Sequence, residues 1–281
     1  MAAAHGRLLV VGTPIGNLGD LTPRAAEALR SADLVVAEDT RLATRLLRHV
    51  GARTPTSSFN NHNAAVRLPA LLGRLSMGET LALTTDAGMP GVSDPGARLV
   101  EAARAAGAAV EVVPGPSAVT AAVAISGIES PGFVFGGFLP ARPASARRAA
   151  LQRLLTGSAA MGLPLVLFEA PHRVRSLLAE LSSVAPTVSV ALCRELTKVH
   201  EEVLTGTPAE VASALTEPRG EFTVVISGIV ASDAAGVPVN TAALLAAAGA
   251  AGLTTRTTVE LLRASGLSRR DAYSAVQDAA Q

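Results

Sequence analysis

The sequence predicts a two-domain α/β protein with a small helical extension at its carboxyl end. In the first 115 residues, short apolar runs alternate with amphipathic stretches, a rhythm typical of a parallel sheet with covering helices. From residue 116 a second group of strand-like runs follows, and the last forty residues show helical patterns alone. We therefore predict an α/β domain at 1–115, a second α/β domain at 116–232 and a helical extension at 240–281.

The strands of the first domain are predicted from four apolar runs, RLLVVG, ADLVVAED, ETLALTTDAG and AVEVVPG. Helical patterns lie between them in TPRAAEALR, TRLATRLLRHVG and ARLVEAARAAG. Thr22 followed by Pro23 predicts a helix start, because a hydroxyl can cap the first turn and proline suits the first helical position. Gly51 predicts the end of the next helix.

The second domain begins with a predicted helix in PGPSAVTAAVAISGI. Strand-like runs follow at FVFGGF, LPLVLFEA, TVSVALCREL and EFTVVISGIV. A loose hinge of small residues near 230–240 leads to TTRTTVELLRASGLSRRDAYSAVQDAA. That segment predicts a helix, a turn at Gly266, a cap at Ser268 and a second helix, a pattern similar to a helix-turn-helix.

Composition excludes several classes of protein. Hydrophobic residues make up 49% and charged residues 17%, which is typical of a globular chain. The apolar run from Ala242 to Leu253 is too short to span a bilayer, and the amino terminus lacks a secretory signal pattern, so we expect a cytoplasmic protein. Cys193 is the only cysteine and the five histidines lack ligand spacing, so we expect no disulfide and no metal.

Three glycine-rich loops follow predicted strands: GTPIGNLGDLTP, TDAGMPGVSDPG and VVPGPSAV. Each alone is typical of a tight turn. In an open α/β sheet, however, the loops at the carboxyl edge line one ligand crevice, and small residues let a ligand approach the backbone. Together they predict a binding crevice lined mainly by main-chain atoms.

The first loop does not match the common nucleotide motifs. Its glycines follow the pattern G-x-x-x-G-x-x-G, Pro14 lacks a backbone donor, and no Walker lysine follows. Glu38 and Asp39 stand near the position of a ribose-binding acid, which leaves a nicotinamide site as a minor alternative. Capping of the helix near Thr40 is an equal alternative for Asp39.

Lys198, in RELTKVHEE, is the only lysine, since the other 23 of the 24 basic side chains are arginines. Lysine differs from arginine in that its pKa falls when the side chain is desolvated, so a lysine can serve as a catalytic base. An accidental lysine in a solvated surface ion network is the structural alternative.

Several ordered motifs resemble one family. GTPIGNLGDLTPRA, AEDTR, DAGMPGVSDPG, VVPGPSA, GGFLP, FEAPHR and RELTKVHEE run from about Leu8 to Val230. They are similar to the tetrapyrrole methylase superfamily, whose fold is that of the class III S-adenosylmethionine (SAM) methyltransferases. Within it, they resemble the bacterial enzymes that methylate a cytidine 2′-oxygen in small-subunit rRNA. The resemblance implies a homodimer that binds SAM between two α/β domains and acts on 16S rRNA near the decoding centre.

The resemblance also implies cofactor contacts, largely through main-chain groups. Family members commonly have threonine where Met89 stands. The resemblance therefore implies a cofactor contact for the loop but not for the Met89 side chain. Carried onto this chain, the implied cofactor residues are Pro14, Asp86, Ala87, Gly88, Met89, Pro90, Gly91, Val92, Ser117, Ala118, Phe168, Glu169, Ala170 and Thr223.

Methyl transfer to a ribose hydroxyl requires a group that takes its proton or stabilises its developing charge. Lys198 can do either, as a neutral base when desolvated or as a charged donor. We predict that Glu195 orients Lys198 and that Arg194 holds a phosphate. His172 is the rival base, because imidazole titrates near neutrality.

RNA contacts are predicted in LPARPASARRAALQRLL, where Arg142, Arg147, Arg148 and Arg153 occur without an acidic residue. Because the net charge is only +1, any polyanion contact must come from such a local patch. The arginines of the terminal helices, Arg256, Arg263, Arg269 and Arg270, form a second candidate surface. For the basic segment, the open alternative is a solvated helix face. For the protein as a whole, the open alternatives are a precorrin-type tetrapyrrole C-methyltransferase and a non-catalytic RNA-binding factor.

Overall fold

The computed structural model describes residues 6–229, 241–265, 267 and 269–279. The predicted hinge near 230–240, the turn at Gly266 and the cap at Ser268 lie outside the described residues. Within them the chain forms two five-stranded sheets with covering helices, which confirms the α/β fold class. None of the described helices is long and apolar enough to cross a bilayer.

The first sheet is parallel throughout, in the order β3-β2-β4-β1-β5. Its strands are β1 (Arg7–Val11), β2 (Leu34–Ala37), β3 (Thr56–Ser58), β4 (Thr80–Leu83) and β5 (Ala109–Val113). Its helices are α1 (Pro23–Ser31), α2 (Thr40–His49), α3 (Ala64–Ser76) and α4 (Gly96–Ala105). The apolar cores place α1 and α2 on one face of the sheet and α3 and α4 on the other.

Local signals set the helix ends of this half. The Thr22 hydroxyl accepts from the Ala25 N–H, Pro23 opens α1, and Gly51 follows α2 with φ of 70°, all as predicted. The Asp39 carboxylate accepts from the Arg41 N–H at 2.8 Å, which confirms its capping role. The sequence patterns missed β3 and α3, because β3 is three half-buried edge residues and Pro69 interrupts the helical pattern of α3.

The second sheet is mixed, in the order β6-β7-β10-β8-β9. Only the β6 and β7 pair is parallel. The strands are β6 (Val134–Phe138), β7 (Leu165–Glu169), β8 (Ser189–Arg194), β9 (Glu202–Gly206) and β10 (Phe222–Ser227). The helices are α5 (Ala118–Ile125), α6 (Ala144–Met161), α7 (Val174–Val184) and α8 (Pro208–Ala214).

The two sheets meet through a shared apolar cluster. Ile15, from the loop after β1, is 7% exposed and packs with Val119, Val166, Cys193 and Leu196 of the second half. Because one side chain of the first half is seated in the core of the second, the loops of the two halves are held close together. The candidate site lies beside this contact.

The carboxyl-terminal region contains α9 (Thr241–Ala250), α10 (Thr255–Ala264) and α11 (Arg269–Asp278). Val259, Leu262 and Ala272 form its small buried core. The two predicted helices are therefore present, and α9 precedes them. Arg256, Arg263, Arg269 and Arg270 are exposed on their surface.

Candidate functional site

The three glycine-rich loops meet at the carboxyl edge of the first sheet. Thr13 and Gly88 exchange backbone hydrogen bonds of 2.9 and 3.1 Å, which joins the first loop to the second. A β-carbon added to Gly12 would lie 2.6 Å from the backbone of Gly115 in the third loop and 2.6 Å from the Met89 sulfur. Gly12 and Gly115 therefore permit a backbone approach that no other residue would allow.

A cavity of about 490 Å³ opens between these loops and the second sheet. This size is that of a small-molecule site. Of the residues predicted to contact a cofactor, Pro14 lines a neighbouring cavity instead, and Pro90 and Gly91 line neither of the two. The larger cavity is lined by the others: Asp86, Ala87, Gly88, Met89, Val92, Ser117, Ala118, Phe168, Glu169, Ala170 and Thr223.

Strand register explains how the second sheet forms the far wall. Thr223 of β10 pairs with Phe168 of β7 and with Cys193 of β8, so three strands present one residue each to the cavity. The Phe138 ring lies 5.4 Å from the Phe168 ring and is 56% exposed. Phe138 was not predicted, although its motif GGFLP was, and with Phe168 it supplies an aromatic platform for a flat ring.

Carboxylates line the cavity where it borders the first sheet. Burial and the neighbouring Asp86 and Asp94 carboxylates raise the pKa of Glu38. Burial, with smaller contributions from Asp39 and Asp94, likewise raises the pKa of Asp86. Burial first, and repulsion between the acids second, disfavour the charged forms of these carboxylates, and a positively charged ligand in the cavity would favour them.

A second cavity of about 310 Å³ adjoins the first. Both are lined by Ile15, Thr85, Asp86, Ala87 and Glu221, so the two cavities share a wall. The smaller cavity also contains Pro14, Gly16, Leu42, Arg45 and Lys198. The structure therefore brings the only lysine beside the predicted cofactor residues without placing it among them.

Lys198 is held by two carboxylates. Its Nζ lies 2.9 Å from Glu195 Oε1 and 3.1 Å from Glu221 Oε2, and its side chain is 26% exposed. Burial alone would lower the pKa of Lys198, but the hydrogen bonds to Glu195 and Glu221 outweigh it and raise that pKa. Burial would raise the pKa of Glu195, yet the Lys198 and Glu221 hydrogen bonds lower it overall. The lysine is therefore an ammonium in this arrangement.

The turn that carries Lys198 has unusual backbone angles. Glu195 and Thr197 have φ of 51° and 67°, in the left-handed region that non-glycine residues rarely occupy. The Lys198 N–H donates to the Glu195 carbonyl at 3.0 Å, and the Thr197 N–H donates to Glu201 Oε2 at 2.6 Å. Such conformations persist where surrounding contacts hold them and are common at functional sites.

Arg194 is not placed as predicted. Its Nη1 lies 3.1 Å from Glu202 Oε2, and its Nε donates to the Arg219 carbonyl at 2.9 Å. Its side chain is 17% exposed, and it lines neither cavity. Arg194 therefore ties β8 to β9, and with Nε and Nη1 engaged within the protein it is poorly placed to bind a phosphate bidentately.

Arg147 also departs from its predicted role. Its side chain is 7% exposed, and its nitrogens lie 3.1 Å from Glu169 and 3.4 Å from Glu180. Arg173 Nε lies 2.9 Å from the other Glu169 oxygen, and Arg173 Nη2 donates a hydrogen bond of 3.4 Å to Glu169 Oε2. Arg147 therefore neutralises a fully buried acid at the end of β7 and is unavailable to RNA. Arg142, Arg148 and Arg153 are exposed.

Two other chemically notable side chains, His172 and Cys193, lie apart from Lys198 or have a thiol pKa unsuited to catalysis. His172 is exposed just before α7 and lines neither cavity, which leaves the rival base away from Lys198. Cys193 lines the larger cavity, but burial, with a smaller effect from the Glu201 charge, raises the pKa of its thiol to about 11. A thiol with so high a pKa is not nucleophilic at neutral pH.

A family model described as Tetrapyrrole (Corrin/Porphyrin) Methylases matches residues 7–212. The fold and the two-cavity site therefore define a methyltransferase of the tetrapyrrole methylase class. A protein of Xylella fastidiosa named Ribosomal RNA small subunit methyltransferase I is 45% identical over 82% of this chain and 84% of its own length. A Thermotoga maritima protein of the same name is 43% identical over 79% of this chain and 99% of its own. This chain belongs to the ribosomal RNA small subunit methyltransferase I family.

Solved structures agree on the fold. Uroporphyrin-III-C-methyltransferase from Thermus thermophilus superimposes with a TM-score of 0.53 at 22% identity, covering 80% of this chain and 96% of that one. A cobalt precorrin-4 methyltransferase superimposes with a TM-score of 0.60 at 16% identity, covering 81% and 97%. At such identities the similarity shows the shared architecture alone.

Proposed function

We propose that this protein transfers a methyl group from SAM to the 2′-oxygen of a cytidine ribose in the decoding region of 16S rRNA. The observation that carries the proposal is the position of the Lys198 ammonium, in a cavity that shares a wall with a larger, acid-lined one. Two adjoining cavities suit a reaction between two substrates, since each can hold one of them with the reacting groups facing.

The larger cavity is the proposed seat of SAM. When bound there, SAM supplies an electrophilic methyl group on a positively charged sulfur. The main chain of the second and third loops surrounds this seat, and Phe138 and Phe168 offer a platform for the adenine. Glu38, Asp86 and Asp94 line this cavity and offer negative charge to the positive groups of the ligand.

Lys198 is the proposed catalytic residue of the smaller cavity. Because its pKa is raised, it acts as a charged donor that stabilises the ribose oxygen as that oxygen loses its proton. Glu195 is the positioning residue, since it is the less exposed of the two carboxylates that hold the ammonium. We assign the proton to Glu221, whose carboxylate lines both cavities and is 72% exposed to solvent.

The substrate and partner assignments rest on further support. The relatives named above support rRNA as the substrate, and the 2% aromatic content favours recognition of an assembled small subunit over stacking of free strands. We propose that the enzyme is a homodimer, as the family resemblance implies, and that it acts in the cytoplasm, where small ribosomal subunits are found. Light scattering of the purified protein measures its molar mass in solution, and we expect twice the mass of one chain.

One experiment tests the reaction. The protein is incubated with methyl-labelled SAM and small subunits that lack the modification, and the RNA is digested for mass spectrometry of nucleosides. We expect label in 2′-O-methylcytidine with the wild-type protein, and an initial rate of labelling at least about a hundredfold lower with Lys198→Met. Label on a base, or no label with a wild-type protein that binds SAM, would overturn the proposal.

The same assay separates the alternatives. Methylation of uroporphyrinogen-like substrates in place of rRNA would indicate a tetrapyrrole methyltransferase, whereas RNA binding without transfer would indicate a non-catalytic factor. Naked 16S rRNA is the third substrate to compare. We expect assembled subunits to accept methyl faster than naked rRNA, and equal rates would contradict recognition of the assembled particle.

A further inference from the structure

Helix α2 carries a line of basic residues on its exposed face. Its sequence, TRLATRLLRH, contains Arg41, Arg45 and Arg48 and no acidic residue. The spacing i, i+4, i+7 places all three on one stripe of a helix, over a length of about 10 Å. All three are exposed, whereas Leu46 and Leu47 are buried against the sheet.

The stripe leads into the smaller cavity. Arg45 lines that cavity together with Leu42, an apolar residue that is 43% exposed, and with Lys198 from the second half of the chain. Arg41 is held 2.6 Å from Asp39. Arg45 and Arg48 form no ion pair with any residue that the structure describes, so both guanidinium groups are available to an external anion.

The basic segment on α6 is a weaker candidate for the same task. Arg147 is buried there in ion pairs with Glu169 and Glu180. Arg148 and Arg153 are five residues apart, which puts them about 140° apart around the helix, so one nucleic-acid strand cannot contact both in line. The α2 stripe has the alignment that α6 lacks and adjoins the catalytic lysine.

We propose that the α2 stripe binds the sugar-phosphate backbone on one side of the target nucleotide, with Arg45 and Arg48 on successive phosphates. Each guanidinium presents a fork that matches a phosphate, and such contacts fix position without reading sequence. Between them and Lys198, the target nucleotide enters the smaller cavity with its apolar face against Leu42. The site rests on the proposed function, because it names the RNA contact that delivers the ribose to Lys198.

Binding can be measured without catalysis. The variants are Arg45→Gln, Arg48→Gln and their double, and the matched control is Arg104→Gln, an exposed arginine on α4 across the sheet. The probe is a mixed-sequence single-stranded RNA of twelve nucleotides, titrated over a range of salt. Each α2 substitution should weaken binding about tenfold and reduce the slope of log affinity against log salt by about 0.7. The RNA affinity and salt slope of Arg104→Gln should match those of the wild-type protein. The SAM affinity of every variant should also match that of the wild type.

Kinetics on small subunits give the second readout. Arg45→Gln should raise KM for subunits about tenfold while kcat stays near wild type, since the arginine holds RNA and not the reacting oxygen. If both α2 variants match Arg104→Gln in affinity and salt slope, the proposal is overturned. If they weaken RNA binding while the wild-type protein transfers no methyl, the α2 site is supported and the proposed reaction is what fails.

Discussion

Gly16 lies against the side chain of Lys198. A β-carbon on Gly16 would come within 2.5 Å of Lys198 Cγ and 2.7 Å of Cε, so the aliphatic part of the lysine occupies the space that any other residue would need. Gly220 stands in the same relation to Glu195, where an added β-carbon would overlap the carboxylate. Gly16 and Gly220, from two separate loops, thus pack closely against Lys198 and against Glu195, its hydrogen-bond partner.

The first prediction follows from that contact. Gly16→Ala should displace the Lys198 ammonium from its carboxylates, because reaction rates are sensitive to misplacement of about an ångström. We expect kcat for methyl transfer to fall about a hundredfold with unchanged SAM affinity, measured by single-turnover transfer and calorimetry. Gly73→Ala, where an added β-carbon meets nothing within 4 Å, is the control. Equal rates in the two variants would contradict the packing role of Gly16.

The second prediction concerns the charge of Lys198. Lys198→Met should reduce kcat by about 10² to 10³ while leaving SAM binding intact, as expected for loss of one charged donor at a developing anion. Because the pKa of Lys198 is raised, the ammonium persists through neutral pH and is lost only above the ordinary lysine range. A wild-type transfer rate that rises with a midpoint between pH 7 and 9, and loses that rise in Lys198→Met, would identify a neutral lysine base instead.

The third prediction concerns the acids of the larger cavity. The pKa of Asp86 is raised in the folded protein, so its ionisation opposes folding above that pKa, and the penalty disappears as pH falls through it. Asp86→Asn should therefore raise the Tm of the ligand-free protein at pH 8 and leave it nearly unchanged at pH 4. It should also weaken SAM binding about tenfold, because negative charge facing the cationic ligand is lost. Unchanged SAM affinity in Asp86→Asn would contradict a role for Asp86 in SAM binding.

The fourth prediction separates two neighbouring arginines. Arg147→Met leaves the buried Glu169 with one of its two cationic partners, so we expect a loss of about 3 kcal/mol in the free energy of unfolding. Arg148→Met, at an exposed position, should change it by less than about 0.5 kcal/mol. Urea unfolding followed by circular dichroism gives both values. Equal losses would show that Arg147 is not part of a buried ion network.

Local patterns determined much of this structure. Each predicted strand and helix of the two halves forms, because its apolar period and its capping residues, such as Thr22 and Asp39, act over a few neighbouring residues. The glycine loops were found for the same reason, since the Gly, Pro and Asp residues of a run such as TDAGMPGVSDPG disfavour helix and strand and favour turns. The uniqueness of Lys198 was visible in the composition alone.

Tertiary structure decided which of these residues meet. Arg147 and Arg148 are adjacent and chemically identical in the sequence, and only the position of Glu169 at the end of β7 buries one and exposes the other. Arg45 and Lys198 line one cavity although they are more than 150 positions apart, and only the fold reveals this proximity, on which our proposal for Arg45 rests. The charge of Lys198 was equally undetermined, since desolvation and ion pairing shift its pKa in opposite directions. Only the distances to Glu195 and Glu221 establish which prevails.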